Sequence, residues 1–292
     1  MATVRELKRR IQSVKNIGQV TRAMEAVAAS KMRRAQEATL ASRDYADKAQ
    51  EVLTYLASQP RRGIIPTPLL EERSVKSIGL ILITPDRGLA GALVSNILRK
   101  AVDFIRAQNV PVSLVAVGRK GTAFMARYDY PIHATFSGIP DLPSTTEIAP
   151  IARLAIDDFA NGTFDQVHLC YTDFINTLRQ TPVTRQLLPV QPAPPTERLR
   201  AVYEFEPDPE TILNEILPDF TMFQIYQAIL EAQASEHSAR MVAMRNATEN
   251  AAELAQDLTL TYNKARQTAI TLEILDIAGG AEALAKARAE FA

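Results

Sequence analysis

Apolar side chains recur in a long, regular pattern in the C-terminal part of the chain. Residues 219–278 contain neither glycine nor proline, and their apolar positions are separated by alternating steps of three and four residues. A repeat of about 3.5 residues is typical of a helix that packs along a partner helix in a left-handed coiled coil. Many positions of the repeat are alanine, which favours close approach of the two helices in a slim rod. The predicted seam comprises Phe220, Phe223, Gln227, Leu230, Ala234, His237, Met241, Met244, Thr248, Ala251, Ala255, Leu258, Tyr262, Ala265, Ala269 and Leu272.

The N-terminal residues show a second helical pattern. No proline occurs before Pro60, so we predict a helix over residues 3–57. Thr3 followed by Glu6 has the spacing of a capping box and indicates where this helix begins. The predicted seam runs through Val4, Leu7, Ile11, Val14, Ile17, Val20, Met24 and Val27, and continues through Ala35, Ala38, Tyr45, Ala49, Val52 and Leu56.

The residues between these helices have a different pattern, in which short apolar runs alternate with amphipathic segments. This alternation is typical of an α/β domain with a largely parallel sheet. Pro182 and Pro189 place the last strand at an edge of that sheet, because proline cannot donate a ladder hydrogen bond. The predicted strands are 77–84, 112–118, 164–174 and 181–190, and the predicted helices are 90–108, 119–128 and 145–161.

The predicted fold class is therefore α/β, with a long antiparallel coiled coil of the N- and C-terminal helices and an inserted Rossmann-like α/β domain. The two helices are expected to run antiparallel because both are tethered to the domain between them. The predicted boundaries are 1–59 for the N-terminal helix, 74–200 for the α/β domain and 209–292 for the C-terminal helix. Pro218 lies within the last helical pattern and is expected to kink it.

The C-terminal helix is longer than its predicted partner. If the two helices pair from the domain outwards, the first residues of the N-terminal helix lie opposite roughly residue 266 of the C-terminal helix. The segment beyond carries apolar side chains around most of its circumference, which a solitary helix in water does not tolerate. We therefore expect another protein to ensheathe this tip. Its apolar residues are Ile270, Leu272, Ile274, Leu275 and Ile277.

Charge is balanced over the whole chain but not along it. The 33 lysine and arginine residues match the 33 acidic residues, which argues against a general binder of polyanions. The first 34 residues, in contrast, carry nine basic groups and only Glu6 and Glu25 as acidic ones. This excess indicates either a solvated face or an acidic protein partner. No nucleic acid partner is predicted, because aromatic residues do not interleave with the basic ones.

The single cysteine, Cys170, excludes an intramolecular disulfide framework and fits a reducing compartment, where we expect it to be buried. The charged N-terminus does not resemble a secretory signal. No run of about 18 apolar residues is present that could span a bilayer. Membrane association is accordingly expected through partners only.

Two candidates for a chemical site have less specific explanations. Asp86–Gly91 follows the first strand and could bind a nucleotide phosphate, but it lacks both glycine-rich fingerprints, so a tight turn from strand to helix is preferred. His237 lies on the predicted seam, where a packed histidine is preferred over a metal ligand. We predict no catalytic, cofactor-binding or metal-binding residue and no cofactor.

Residues 270–283, with the sequence ITLEILDIAGGAEA, closely resemble the signature of the gamma subunit of F-type ATP synthases of the bacterial type. Further similar segments occur in family order along the whole chain. They are Arg22–Glu25, Ala28–Met32, Asp86–Leu89, Phe205–Pro209, Ser235–His237, Ala239–Met244 and Tyr262–Gln267.

The resemblance implies a non-catalytic central-stalk rotor subunit. Such a subunit couples proton flow through the membrane ring to ATP synthesis or hydrolysis at the beta subunits, and regulates both ATPase activity and proton flow. The implied partners are the alpha and beta subunits of the catalytic head, the epsilon subunit and the ring of c subunits. The implied location is peripheral, at the cytoplasmic face of the bacterial plasma membrane.

The resemblance also implies roles for individual residues. Rotor–stator contacts would be made by Met24, Lys31, Arg266 and Gln267, and Phe205 with Glu206 would lie near the membrane ring. The signature residues within the tip are Ile270, Thr271, Glu273, Asp276, Gly280 and Ala281.

Two other classes of function remain open on the residues alone. One is a coiled-coil tether or scaffold with an α/β cargo domain. The other is an enzyme whose α/β domain binds a nucleotide while the helices recruit its substrate. Co-purification distinguishes them, because only the rotor requires a stoichiometric complex with nucleotide-binding subunits.

Overall fold

A computed structural model describes the backbone of residues 3–57, 68–191 and 209–290. Side chains are described in these ranges except at positions 40, 42–47, 50–57, 209–210 and 282–290. The chain divides into two compact units. The helix-pair unit comprises Met1–Ala26 with Met244–Ala292, and the sheet unit comprises Val27–Ala243.

The two predicted long helices are present. Helix α1 covers Val4–Ala57, and helix α5 covers Pro209–Glu290 and contains Pro218. The capping box at the start of α1 is confirmed, because the backbone N–H of Thr3 donates to Glu6 Oε2 at 2.9 Å and that of Glu6 donates to Thr3 Oγ1 at 3.3 Å. The kink that we expect at Pro218 stays a prediction.

Within the helix-pair unit, α1 and α5 run antiparallel. The hydroxyls of Thr21 and Thr248 are 2.7 Å apart, and Arg245 Nε donates to Glu25 Oε1 at 3.0 Å. Gly18 lies against Ala251, to whose Cβ an added Cβ would be 3.5 Å away. Residues later in α1 therefore contact residues earlier in α5, which confirms the predicted antiparallel pairing.

The seam predicted on α5 is confirmed in this unit from Met244 to Ala265, whereas its last two residues, Ala269 and Leu272, are exposed because the seam has no partner beyond Ala265. Every third or fourth residue is buried or half-buried and nearly all residues between them are exposed, which is the burial pattern of a helix with one partner along one stripe. The residues of this stripe are Met244, Thr248, Ala251, Ala255, Leu258, Tyr262 and Ala265.

The seam predicted on α1 is wrong in its middle. Ile17, Val20 and Val27 are exposed by 55%, 58% and 56%, whereas Gly18 and Thr21 lie against α5. In a repeat of 3.5 residues, steps of three and four alternate, so the seam residue after Val14 is Gly18. Ile17 is three residues after Val14 and lies about 60° from it around the helix axis, on the side away from the partner. Small residues occupy the seam here because the helices approach closely.

The described residues of the sheet unit form five strands and three further helices. In chain order they are β1 (Ile78–Ile83), α2 (Leu93–Ala107), β2 (Val112–Val117), α3 (Arg119–Arg127), β3 (Ile132–Phe136), α4 (Thr145–Ala160), β4 (Gln166–Phe174) and β5 (Gln180–Leu188). A single turn of 3₁₀ helix, Pro68–Leu70, precedes β1.

The strand order is β3-β2-β1-β4-β5, and the first four strands are parallel. β5 pairs antiparallel with β4 at one edge and contains Pro182, as predicted. β3, at the opposite edge, was not predicted from the sequence. Its five residues alternate between half-buried and exposed, so they lack the continuous apolar run that identified the other parallel strands.

Helices cover both faces of the sheet. On one face, Ile97, Leu98 and Ala101 of α2 pack with Leu80 and Leu82 of β1. The other face carries α4 together with the first part of α5. Its buried core includes Ile81, Phe159, Leu169, Phe220, Ile225 and Ile229. Within this unit α5 is therefore part of the domain core.

Candidate interaction surfaces

The last described part of α5 has no partner among the described residues of the helix-pair unit. Burial along the seam ends at Ala265, and every residue of 266–281 is exposed. The large apolar residues of this tip are open to solvent around most of the helix. Their exposed fractions are 48% for Ile270, 55% for Leu272, 60% for Ile274, 59% for Leu275 and 68% for Ile277.

Several residues with implied roles lie in this tip. Arg266 and Gln267 are at its beginning, where the seam ends. The signature residues Ile270, Thr271, Glu273, Asp276, Gly280 and Ala281 follow, and all of them are exposed. Among their described hydrogen bonds is one from Thr271 Oγ1 to the carbonyl of Gln267 at 3.0 Å, within the same helix. The side chains of the tip are thus available to another protein.

The two implied contact residues on α1 have different surroundings. Met24 is half-buried in the helix-pair unit. Lys31, in the sheet unit, forms an ion pair with Asp141 in the loop between β3 and α4, with Nζ and Oδ2 2.7 Å apart. The side chain of Lys31 is still 38% exposed, so it is accessible on one side.

Asp141 also faces the buried imidazole of His237 on α5. His237 Nε2 is 3.3 Å from Asp141 Oδ1. Burial lowers the pKa of His237 to about 4, so this histidine is neutral at pH 7. Partial burial opposes ionisation of Asp141, but the hydrogen bond from Lys31 and the charges around it prevail and lower its pKa. The structure thus supports a packed histidine, and the described residues contain no cluster suited to a metal ion.

One helical turn further along α5, Arg240 contacts both its own helix and a loop of the sheet. Its guanidinium forms an ion pair with Glu236, and Nη2 donates to the carbonyl of Gly88 at 3.2 Å. Burial raises the pKa of Glu236, although Arg240 opposes this effect. The roles of Asp141 and Arg240 in joining loops of the sheet to α5 were not predicted from the sequence, because nothing local indicates that these loops and the helix meet.

Asp86 lies in the turn after β1, which was the candidate binding site for a nucleotide phosphate. Its Oδ1 accepts from the backbone N–H of Arg119, the first residue of α3, at 2.8 Å, and its Oδ2 accepts from that of Gly138 at 2.9 Å. The N-terminus of a helix is a favourable position for an anion. Here the carboxylate of Asp86 takes that position at α3, the helix after β2, and ties the turn after β1 to it, which supports a structural turn.

Phe205 and Glu206, the residues with an implied membrane-ring contact, lie outside the described residues. Cys170 is buried as expected, and burial raises its pKa to about 11. Among the helices that the structure describes, none is both long enough and apolar enough to cross a bilayer.

Comparison with known proteins agrees with these features. The family model described as ATP synthase matches residues 3–284. The ATP synthase gamma chain of Dehalococcoides mccartyi strain CBDB1 is 54% identical over 287 residues, which cover 98% of this chain and all of the relative. The chain belongs to the ATP synthase gamma chain family.

Other relatives and solved structures extend this assignment. The gamma chain of Roseiflexus castenholzii is 50% identical over 294 residues, covering 98% of this chain and all of the relative. A chain from the central stalk and c-ring of the Tetrahymena thermophila mitochondrial ATP synthase matches 78% of this chain and 99% of its own length, with a TM-score of 0.58 and 27% identity. A rotor chain of the Euglena gracilis enzyme has the same fold, with a TM-score of 0.63 over 91% of this chain and 98% of its own length at 20% identity.

Proposed function

We propose that this gamma-family chain is the central-stalk rotor subunit of a bacterial F-type ATP synthase. In this role it couples proton flow through a membrane ring to ATP synthesis, or to hydrolysis, at catalytic beta subunits, and it regulates both activities. It acts without chemistry of its own. It is peripheral, at the cytoplasmic face of the plasma membrane, and is held there by its partners.

The observation that carries this proposal is the exposed apolar tip of α5. Burying one large aliphatic side chain stabilises a complex by about 1.5–3 kcal/mol, and the tip offers five such residues around its circumference. A flat docking surface would cover only one stripe of a helix. Apolar residues around most of the helix favour a partner that surrounds the tip, which a ring of alternating alpha and beta subunits would do.

The remaining partners are assigned to other surfaces. In this proposal Arg266 and Gln267 meet the beta subunits where the tip begins, and Met24 and the Lys31 region meet an acidic segment of beta. Phe205 and Glu206 meet the polar loops of the c ring, beside the epsilon subunit. The partial exposure of Lys31 supports its assignment, because part of its side chain is accessible while it is paired with Asp141.

A non-catalytic role is supported by the surroundings of Asp86. Its two carboxylate oxygens are already occupied by backbone N–H groups of Arg119 and Gly138. Arg240 reaches the carbonyl of Gly88 in the same loop, so a helix of the chain lies against the turn at which a phosphate would bind.

Amide hydrogen exchange tests the proposal directly. We expect the amides of 266–281 to exchange rapidly in the monomeric free chain and to be strongly protected in a stoichiometric complex with alpha and beta subunits. The amides of 244–265 serve as the internal control, because that segment is already paired within the chain. Strong protection of the tip in the monomer would contradict the proposal, since the tip would then fold back on its own chain.

The two alternatives predict other results. A tether or scaffold would not co-purify in fixed proportion with nucleotide-binding subunits. An enzyme would hydrolyse ATP as an isolated chain and lose this activity on changing Asp86 or Arg87. We expect no such turnover from the purified chain.

A further inference from the structure

Three loops at one edge of the sheet contact a short segment of α5. They follow the carboxyl ends of β1, β3 and β4 and contain Gly88, Pro140 and Thr177 respectively. The carboxyl ends of parallel strands lie at the same edge, where open α/β proteins usually bind a ligand. In this chain the loops at the carboxyl ends of the strands bind residues 233–240 of α5.

The helix donates a hydrogen bond to the backbone of each loop. Gln233 Nε2 donates to the carbonyl of Pro140 at 2.7 Å. Arg240 Nη2 donates to that of Gly88 at 3.2 Å, and Ser238 Oγ donates to that of Thr177 at 2.8 Å. These contacts fix particular atoms, whereas apolar packing alone tolerates small displacements.

The contacts come from nearly opposite sides of the helix. Since each residue advances about 100° around an α-helix, Gln233, His237 and Arg240 share one side. Ser235 and Ser238 project from the other side, where Ser235 Oγ donates to the carbonyl of Thr172 in β4 at 3.1 Å. A helix held on two sides resists rotation about its own axis, because any rotation breaks contacts on both.

The loops on the first side are also joined to each other. Asp86 accepts from the backbone N–H of Gly138 at 2.9 Å and so links the loop after β1 to the loop after β3. The latter loop carries Asp141, which pairs with Lys31 on α1 and faces His237 on α5. A closed series of contacts therefore joins the edge of the sheet to both long helices within the sheet unit.

We propose that these loops form a torsional clamp on α5, in which Arg240, Ser238 and Asp141 are positioning residues that fix the angle of the sheet about the long helices. This proposal rests on the rotor function proposed above. Torque applied to the sheet would then pass to the long helices with little rotation of the sheet relative to the helices, because the clamp contacts resist that rotation.

The test measures angular fluctuations in the assembled complex with its immobilised catalytic head. A probe is attached to the D157C variant, because Asp157 is exposed on α4. Cys170 is buried and should not react with the label. Combining Arg240→Gln with Ser238→Ala removes donors from both sides of the helix. We expect the angular variance of the probe at rest to rise about twofold, because local contacts limit this motion.

Controls separate the clamp from a general loss of stability. Arg153→Gln removes an exposed arginine of α4 and should leave the variance unchanged. Arg240→Lys keeps a donor and should restore part of the stiffness. ATP hydrolysis by the complex should change little in the double variant. If that variant fails to assemble, Asp141→Asn, at a half-exposed position, is measured instead and is expected to give a smaller rise.

The outcomes distinguish the two proposals. If the probe on the complex with the unaltered clamp does not rotate during ATP hydrolysis, the rotor function fails. If it rotates, but the variance is the same with and without the clamp contacts, the clamp alone is overturned. A rise in the Arg153→Gln control equal to that of the double variant would also overturn it.

Discussion

Two segments of the same helix, α5, show how differently similar apolar residues are used. Between Thr211 and Ala243, in the sheet unit, Glu215 and Asp219 are the exposed residues and all others are buried or half-buried. Between 266 and 281, in the helix-pair unit, every residue is exposed. Both segments are rich in isoleucine and leucine.

Apolar composition therefore does not by itself decide which residues of a folded chain are buried. Ile229 is 2% exposed because the sheet and its loops surround it, and Ile274 is 60% exposed because α1 does not extend to it. Within a single helix, one segment is stabilised by its own chain and the other requires a second protein. The following predictions test this contrast, beginning with the largest effect.

The most direct test compares Ile229→Ala with Ile274→Ala in the free chain. Ile229→Ala should lower the free energy of unfolding by about 2–5 kcal/mol, because it leaves a cavity in a packed core. Ile274→Ala should change it by no more than about 0.5 kcal/mol, as is usual for exposed positions. Urea denaturation measures both. Equal losses for the two variants would show that the tip is packed within the free chain.

The second prediction concerns the beginning of the tip in the assembled complex. Arg266→Ala combined with Gln267→Ala should lower ATP synthesis more than it lowers assembly. Hydrogen bonds to a charged group contribute about 1.5–3 kcal/mol, enough to change a rate tenfold without dissolving a large interface. Synthesis by inverted membrane vesicles and subunit stoichiometry are measured together. Unchanged synthesis would remove these residues from the proposed contact.

The third prediction concerns pH and the buried segment. His237 has a pKa of about 4 in the folded chain and about 6.5 when unfolded, so the unfolded state binds more protons between these values. The free energy of unfolding should therefore fall by about 2 kcal/mol from this residue between pH 7 and pH 5. Full stability is present above the unfolded pKa and is lost as the pH falls.

His237→Gln isolates this effect, because burial also lowers the pKa of His168. The difference in pH dependence between the variant and the unaltered chain reports His237 alone. The exposed tip has no histidine and should not contribute. Identical slopes between pH 7 and pH 5 would contradict the buried, neutral state of His237.

The smallest effect is expected at the start of α1. Thr3→Ala removes the hydroxyl of the capping box and should destabilise the first turn of the helix by about 1 kcal/mol. Exchange of the amides of the first turn should increase, while that of the tip, already unprotected in the free chain, should not change. Thr3→Ser keeps the cap and is the matched control.

Much of this fold follows from local patterns. The two long helices, their antiparallel pairing and four of the five strands were predicted, and burial on α5 ends at Ala265, close to the predicted position. Residues 219–278 lack glycine and proline and carry the regular apolar repeat of α5. The unequal lengths of the two long helices can be read from the sequence as well. The contact roles of Met24, Lys31, Arg266 and Gln267 stay predictions, because they concern surfaces of other proteins.

The residue pattern predicted the extent of each long helix, the side of α5 that faces a partner and the presence of an unpaired apolar tip, because all three depend on regular spacing along one segment. The tertiary structure was needed to show that Gly18 and Thr21, rather than Ile17 and Val20, face α5. It likewise brought Asp141 to Lys31 and His237. The physical reason is that these contacts depend on how closely backbones distant in sequence approach, and a pattern of apolar residues along one helix carries no information about that distance.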